Sequence, residues 1–146
     1  IHQIFTEKHC DMVRQMDPNC TIIVHPECPW QVVQKSDLTG STEQIIRAVD
    51  NAPEGSRWAI GTEYNLINRL ARKHEGRKYV RPLGGVQSIC TTMYRIDLPH
   101  LAWCLDELAA GRVVNRITVD AQTRKNARIA LQRMLDNVQA APVVTK

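Results

Sequence analysis

The stretch Ile22-Ile23-Val24-His25-Pro26-Glu27-Cys28-Pro29 constrains the fold more than any other part of this sequence. The run Thr21–Val24 lacks polar alternation, so it predicts a strand that is buried on both faces of a parallel sheet. His25 and Glu27 follow at the carboxyl end of that strand, where open parallel α/β sheets bind ligands. Two prolines stiffen the turn and fix the directions of both side chains. The alternative is an ordinary strand-to-helix turn with a surface histidine and glutamate.

The first two thirds of the chain alternate predicted helices and strands, which is typical of a parallel sheet with right-handed crossovers. The predicted strands are Thr21–His25, a short one within Ser36–Gly40, Trp58–Ile60 and Lys78–Arg81. The predicted helices are His2–Met16, a short one opened by Pro29 at its first position, Glu43–Asn51 and one capped by Thr62. We therefore expect an α/β fold, a three-layer αβα arrangement around a short, mostly parallel four-stranded sheet.

Two further helices are predicted towards the C-terminal end of the chain. Asp97 is placed to cap a helix that Gly111 stops, and Asp120 is placed to cap an amphipathic helix ending near Asn137. We expect residues 1–96 to form the α/β domain, 97–137 a helical extension and 138–146 a frayed tail.

Composition excludes several classes of protein. The chain has 146 residues, of which 43% are hydrophobic, so one globular domain with a sizeable core is expected. The net charge of +4 is scattered, which permits an anionic ligand without requiring nucleic acid, and aromatic residues are too sparse for a base-stacking surface. No apolar run approaches the ~20 residues of a membrane helix. Because Ile1 is neither an initiating Met nor part of a signal sequence, we expect a piece of a longer chain.

The cysteines point away from disulfides. There are five, an odd number without C-x-x-C spacing, so neither a disulfide framework nor a self-contained zinc site is expected. Free thiols without a signal peptide favour the cytoplasm. Cys10, Cys20 and Cys104 are interpreted as core residues, Cys28 beside Glu27 stays open, and Cys90 lies in a glycine-containing loop.

Two stretches could carry chemistry at the same sheet edge. Gly40-Ser41-Thr42 opens a helix, where N–H groups, hydroxyls and the helix dipole favour a phosphate or carboxylate, although the same residues could serve only as an N-cap. His25 and Glu27 suit acid–base catalysis. A zinc site built with Cys28 is possible, but ligands so close in sequence rarely complete a tetrahedron. The remaining histidines are His2, which nothing local explains, and three predicted on helix surfaces, His9, His74 and His100.

Taken together, these residues resemble the quinolinate synthase family. The matching stretches are collinear and cover nearly the whole chain: Val24–Pro29 resembles its H-P-E-x-P turn, Gly40-Ser41-Thr42 its G-S-T turn, Gly61-Thr62-Glu63 with Asn68-Arg69 its following strand and helix, Cys90–Met93 with Arg95–Leu98 its cluster-cysteine loop, and Ala130–Leu135 its C-terminal helix. The resemblance implies three related α/β domains, of which this chain would be the third plus the C-terminal helix.

The resemblance also implies a cofactor and a reaction. One [4Fe–4S] cluster is held by one cysteine from each domain, so Cys90 would be one of three ligands, and the remaining two domains would be partners. Iminoaspartate and dihydroxyacetone phosphate would condense to quinolinate for NAD synthesis. Glu27 would transfer protons. His2 would be the histidine of a C-x-x-H segment whose Cys is missing here, and it would position substrate or shuttle protons. His25, Ser41 and Thr42 would hold the phosphate or carboxylates.

Two other functions remain open from the residues alone. One is a metal-free α/β module that binds a phosphorylated metabolite at Gly40-Ser41-Thr42. The other is a basic nucleic-acid-binding domain, which is disfavoured because no charge cluster is present.

Overall fold

The computed structural model describes residues 1–140, with side chains through Asn137, and the chain divides into two compact units, Ile1–Tyr94 and Arg95–Lys146. The first unit alternates helices and strands. Its helices are α1 (Glu7–Met16), α2 (Trp30–Lys35), α3 (Thr42–Asn51) and α4 (Tyr64–Lys73), its strands are β1 (Thr21–Val24), β2 (Leu38–Thr39), β3 (Arg57–Gly61) and β4 (Tyr79–Pro82), and short 3-10 turns lie at His2–Ile4, Leu83–Gly85 and Met93–Arg95.

The four strands form one sheet in the order β2-β1-β3-β4, and every pairing is parallel. β1 lies between β2 and β3, with Ile23 paired to Leu38 on one side and to Ile60 on the other. Ile22, Ile23 and Val24 are all buried, as the absence of polar alternation predicts. The predicted four-stranded parallel sheet is confirmed.

Helices cover both faces of this sheet, which confirms the three-layer arrangement. On one face the buried residues come from α1, α2, alternate strand positions and the segments that connect them: Phe5, Cys10, Val13, Cys20, Ile22, Val24, Cys28, Val32, Val33, Ala59 and Leu83. On the other face they come from α3, α4 and the intervening strand positions: Ile23, Ile45, Val49, Trp58, Ile60, Ile67, Leu70 and Val80. The two sets alternate along β1 and β3 because successive side chains of a strand point to opposite faces.

The first helix begins five residues later than predicted, at Glu7 instead of His2. Thr6 is its N-cap, and the backbone N–H of Thr6 donates to Nδ1 of His9 at 3.2 Å. His9, predicted as a helix-surface residue, therefore takes part in the capping box of α1. His2 lies in a separate 3-10 turn. Ile4 and Met12, which lie within the predicted helix, are 43% and 45% exposed.

Other boundaries differ by one or two residues. β1 ends at Val24, and Pro29 is the N-cap of α2 instead of its first residue. The cap of α4 is Glu63, whose carboxylate accepts the N–H of Leu66 at 3.1 Å, and not the predicted Thr62. The longer Glu63 side chain reaches the first turn, which leaves the hydroxyl of Thr62 available for another partner.

His74 is buried, which contradicts its predicted place on a helix surface. It ends α4 with 4% of its surface exposed, and its Nε2 lies 2.7 Å from Oδ1 of Asp50 at the end of α3. Lys73 donates to the other oxygen of Asp50 at 2.8 Å. These contacts hold the pKa of Asp50 below its usual value, first through Lys73 and then through His74. The network therefore ties the ends of α3 and α4 together.

The second unit contains α5 (Leu98–Ala109) and α6 (Ala121–Ala140). Both predicted caps are confirmed: Asp97 accepts the N–H of His100 at 2.8 Å, and Asp120 accepts the N–H of Thr123 at 2.9 Å. Cys104 is partly exposed on α5, so it is not the core residue that was predicted.

The last helix runs further than predicted. α6 continues to Ala140, three residues beyond the predicted helix end near Asn137. Residues 141–146, the rest of the predicted tail, lie outside the described part of the chain. Within residues 1–140, none of the helices combines the length and the apolar character that crossing a bilayer requires.

Candidate active site

The carboxyl ends of β1 and β3 meet at the centre of the sheet. The chain leaves β1 towards β2 on one side and returns to β3 on the other, so the crevice between their ends is a topological switch point. The N–H of His25 donates to the carbonyl of Gly61 at 3.0 Å, and the N–H of Gly40 donates to the carbonyl of Val24 at 3.1 Å. These bonds bring three predicted segments to one edge: the His25 turn, the start of α3 and the residues after Gly61.

Three ionisable side chains converge at this edge. The imidazole rings of His2 and His25 stack with centroids 4.3 Å apart and an interplanar angle of 8°. Nδ1 of His2 lies 3.0 Å from Oε2 of Glu27, and Nε2 of His2 lies 3.3 Å from Oγ1 of Thr62. The amide of Gln3 donates to the carbonyl of Glu27 at 2.7 Å. The 3-10 turn at His2–Ile4 is therefore fixed to the His25 turn by side-chain contacts.

His25 is held as a neutral imidazole with a defined tautomer. Burial lowers its pKa, the neighbouring His2 lowers it further, and Glu27 partly opposes both effects. The backbone N–H of Glu27 donates to Nδ1 of His25 at 3.3 Å, so the proton of the neutral ring is on Nε2. That N–H can donate to an oxygen atom of a ligand.

His2, His25 and Glu27 offer ligand atoms that all lie within 4.8 Å of one another, the spacing of a possible metal site. A metal ion binds the in-plane lone pair of each imidazole. Because the two rings are nearly parallel, no point near them lies in both ring planes. The observed arrangement therefore suits proton transfer better than metal binding.

The predicted anion site lies at the start of α3. Ser41 is the N-cap: its Oγ accepts the N–H of Gln44 at 3.4 Å, and its own N–H donates to Oε1 of Gln44 at 2.8 Å. Capping occupies a lone pair of the Ser41 hydroxyl and leaves its proton free to donate. Thr42 is exposed and lines an open cavity of about 360 Å³ that is shared with Thr62, Glu63 and Arg69. The start of α3 and the segment after β3 therefore line the same cavity.

Cys90 differs from the buried cysteines. It is partly exposed, and its Sγ lies 3.0 Å from Oγ1 of Thr92. The Thr92 hydroxyl and then the backbone N–H of Met93 lower the pKa of the Cys90 thiol, although the carboxylate of Glu63 acts weakly in the opposite sense. An accessible sulfur with hydrogen-bond donors around it suits a thiolate that ligates a metal. Cys90 therefore fits the part of a cluster ligand.

The three buried cysteines are packing residues. Burial raises the pKa of Cys10 and Cys20, and it raises the pKa of Cys28 to about 11. The thiol of Cys28 donates to the carbonyl of Gly61 at 3.5 Å. Its side chain is turned into the core, and Cys28 is not among the three residues, His2, His25 and Glu27, whose ligand atoms lie within 4.8 Å of one another.

Two residues of this site, Thr62 and Glu63, were not predicted to be functional. Thr62 contacts His2, and Glu63 caps α4 beside the same cavity. The signal was present in the sequence, because both residues follow Gly61 at the carboxyl end of a buried strand. The predicted capping role of Thr62 belongs to Glu63, which leaves the Thr62 hydroxyl to contact His2.

Comparison with known proteins identifies the family. The family model "Quinolinate synthetase A protein" (NadA) matches residues 1–136. The chain is 51% identical over 135 residues to the quinolinate synthase of Anoxybacillus flavithermus, 50% to that of Staphylococcus carnosus and 48% to that of Rhodopirellula baltica. Each match covers 92% of this chain but only 36%, 37% and 34% of those proteins, so the chain spans about a third of the length of its curated relatives. On these grounds the chain belongs to the quinolinate synthetase A protein family.

Proposed function

We propose that this chain forms the proton-transfer and anion-binding part of a quinolinate synthase. The complete enzyme would be a cytoplasmic transferase that condenses iminoaspartate with dihydroxyacetone phosphate to quinolinate, a precursor of NAD. Family membership supports the reaction. The observation that carries the role of this chain is the His2, His25 and Glu27 cluster beside the start of α3 at one sheet edge.

Glu27 is the proposed proton-transfer group. Its side chain is 72% exposed in this chain, so it can reach a ligand in the crevice, and its Oε2 lies 3.0 Å from His2. The Nδ1–H of His2 would stabilise Glu27 as the carboxylate that takes a proton from a substrate carbon or hydroxyl and later returns it. Because Glu27 is open to water, the remaining domains would have to cover it during the reaction.

His25 and the start of α3 would hold the anionic substrate groups. The Nε2–H of His25 supplies one donor, and the hydroxyls of Ser41 and Thr42 supply two more beside the positive end of the helix dipole. These donors match the oxygen atoms of a phosphate or a carboxylate. We therefore propose two groups of residues: Glu27 with His2 for proton transfer, and His25, Ser41 and Thr42 as hydrogen-bond donors to the anionic substrate groups.

Cys90 would be one of three thiolate ligands of a [4Fe–4S] cluster, with the other two supplied by the remaining two domains. The cluster, when bound, supplies an iron that acts as a Lewis acid on a substrate oxygen. We propose that residues 1–96 are the third α/β domain and 97–137 a helical extension of it. Because one thiolate cannot hold the cluster, the chain alone is expected to be inactive.

The test uses a chimaera in which this chain replaces the matching segment of the Anoxybacillus flavithermus quinolinate synthase, to which it is 51% identical. Quinolinate formation is measured without oxygen. We expect the chimaera to be active, the Glu27→Gln variant to keep the visible absorption of the cluster and lose turnover by at least ~100-fold, and the Cys90→Ser variant to lose both. Cys104→Ser, on a partly exposed cysteine without a proposed role, is the matched control and should change neither.

The outcomes separate the proposal from the metal-free alternative. An active chimaera whose Cys90→Ser variant keeps a normal cluster would refute the assignment of that ligand. Wild-type turnover in the Glu27→Gln variant would refute its acid–base role. Tight binding of a phosphate ester by this chain, together with iron-independent turnover of the chimaera, would favour a metal-free phosphate-binding module.

A further inference from the structure

Thr62 occupies a position at which three parts of the site meet. It follows Gly61 at the end of β3 and only 2% of its surface is exposed. Its hydroxyl contacts Nε2 of His2, and its backbone carbonyl accepts a hydrogen bond from the buried hydroxyl of Ser88, two residues before Cys90. The backbone carbonyl of Ser88 in turn accepts the N–H of Tyr64 at 3.0 Å. A single residue thus joins His2 to the Cys90 loop.

The two contacts of His2 define which nitrogen carries its proton. A carboxylate can only accept, so Nδ1 of His2 must donate to Glu27. In the neutral ring, Nε2 is then an acceptor, and the Thr62 hydroxyl is the group that donates to it. When the ring gains a proton, Nε2 becomes a donor and the same hydroxyl rotates to accept. A hydroxyl satisfies both states, whereas a methyl group satisfies neither.

Nothing else described around His2 performs this role. His25 faces the ring in a parallel stack, so it touches the ring face and not the ring edge. Glu27 occupies Nδ1. Thr62 is rigidly placed because its neighbours are the end of a central strand and the cap of α4, and because its carbonyl is bound to Ser88.

We infer that Thr62 is a positioning residue that keeps the N–H of His2 directed at Glu27 through both protonation states of the ring. This inference rests on the proposed function, since it assigns Thr62 a part in orienting the His2 N–H that stabilises the Glu27 carboxylate. Thr62 does not touch the reacting atoms. It acts through His2, and the property it controls is the tautomer and the in-plane orientation of that imidazole.

The tautomer can be measured in this chain without any enzyme assay. Long-range ¹H–¹⁵N correlation spectra of the uniformly labelled chain resolve the two ring nitrogens of each histidine. At a pH where His2 is neutral, we expect a protonated Nδ1 and a bare Nε2. In the Thr62→Val variant, which keeps the shape and loses the hydroxyl, we expect the two nitrogen shifts of His2 to move towards each other as a second tautomer is populated. Thr62→Ser should restore the wild-type pattern.

Controls keep this test informative if a variant is damaged. His74 is buried against Asp50 in the same unit, so unchanged nitrogen shifts for its ring in the same spectrum show that this unit is folded. Thr21→Val, at the opposite end of β1, is the matched threonine-to-valine change and should leave His2 unaltered. Should Thr62→Val unfold the chain, the Thr62→Ser and Thr62→Cys variants provide the comparison, because a thiol is only a weak donor.

Three results would overturn the inference: a wild-type His2 protonated on Nε2, His2 shifts that are the same in Thr62→Val and wild type, or a Thr62→Ser variant that does not restore the pattern in a folded chain.

In the chimaera, we expect Thr62→Val to lower kcat by about ten- to a hundredfold with little change in KM, by loss of alignment. A merely structural role would give no rescue by serine. If the chimaera lacks activity while the spectra behave as described, the positioning contact stands and the proposed function fails.

Discussion

Replacing Gly61 by alanine should separate the ends of β1 and β3, on which the candidate site is built. A Cβ added at Gly61 would lie 2.9 Å from Cγ1 of Val24 and 3.2 Å from Cδ2 of Leu83, both fully buried. Gly61 is not among the glycines with a positive φ, so alanine meets no backbone strain. Overpacking of this kind lowers the free energy of unfolding by about 1–3 kcal/mol. Alanine also reduces the conformational entropy of the unfolded chain, which raises the free energy of unfolding by about 0.4–1 kcal/mol. We expect a net loss of about 0–2.6 kcal/mol, with a midpoint of about 1.3 kcal/mol.

A double-mutant cycle with Val24→Ala tests the cause of this loss. Val24→Ala alone should destabilise by about 2 kcal/mol, because two buried carbon groups are lost from a packed core. It also removes the methyl group that the new Cβ would strike. The double variant should therefore be less destabilised than the sum of the single changes, by about 1 kcal/mol.

Urea unfolding followed by circular dichroism measures all three variants. The control cycle pairs Gly61→Ala with Val49→Ala, which is buried on the opposite face of the sheet and should be additive. Because the carbonyl of Gly61 accepts the N–H of His25, the same variant should also shift the ring resonances of His25. A stabilised Gly61→Ala protein, or a cycle with Val24 that is additive within about 0.3 kcal/mol, would refute the steric argument.

Three further predictions concern ionisable groups. In the iron-free chain, Cys90 should be the first cysteine that iodoacetamide alkylates, and Thr92→Val should slow its reaction while the neighbouring Thr91→Val should not, as measured by mass spectrometry. The pKa of His25 is lower in the folded chain than the value of about 6.5 expected when unfolded, so the unfolded chain binds more protons between these two values. The free energy of unfolding should therefore fall as the pH drops through this window, as urea unfolding at several pH values would show. The His25→Gln variant should show a weaker pH dependence. Asp50→Asn should destabilise the chain by about 1 kcal/mol in urea unfolding, since the lysine and histidine partners lose their charged acceptor.

The sheet was predictable because its signals are local and mutually consistent. A run such as Ile22-Ile23-Val24 without polar alternation has few alternatives to a doubly buried strand, and the helix starts at Ser41, Asp97 and Asp120 carry strong capping residues. The edge at which His25, Glu27 and Ser41 assemble follows from parallel topology alone. These inferences needed no knowledge of long-range contacts.

The errors arose where distant residues decide the structure. His74 is buried because Asp50, 24 residues earlier, provides a partner for its ring, and no local pattern reveals this pairing. The start of α1 is a local exception: it is set by the reciprocal Thr6 and His9 cap, in which a histidine stands where glutamate or glutamine is the usual capping residue. Thr62 contacts His2 across 60 residues, so its role becomes visible only when β1 and β3 are paired.

The 3-10 turn at His2–Ile4 contains no buried residue, so the hydrophobic effect does little to hold it in place. Its attachment consists of the His2 contacts with Glu27 and Thr62, the ring stack on His25 and the bond from Gln3. Phe5, the next residue after the turn, is buried and is the first residue of the chain that packs in the hydrophobic core. Local opening of this turn therefore requires far less free energy than global unfolding, and its amide protons should exchange well before those of β1. The assembly of the candidate site and the attachment of this segment thus depend on the same few polar bonds.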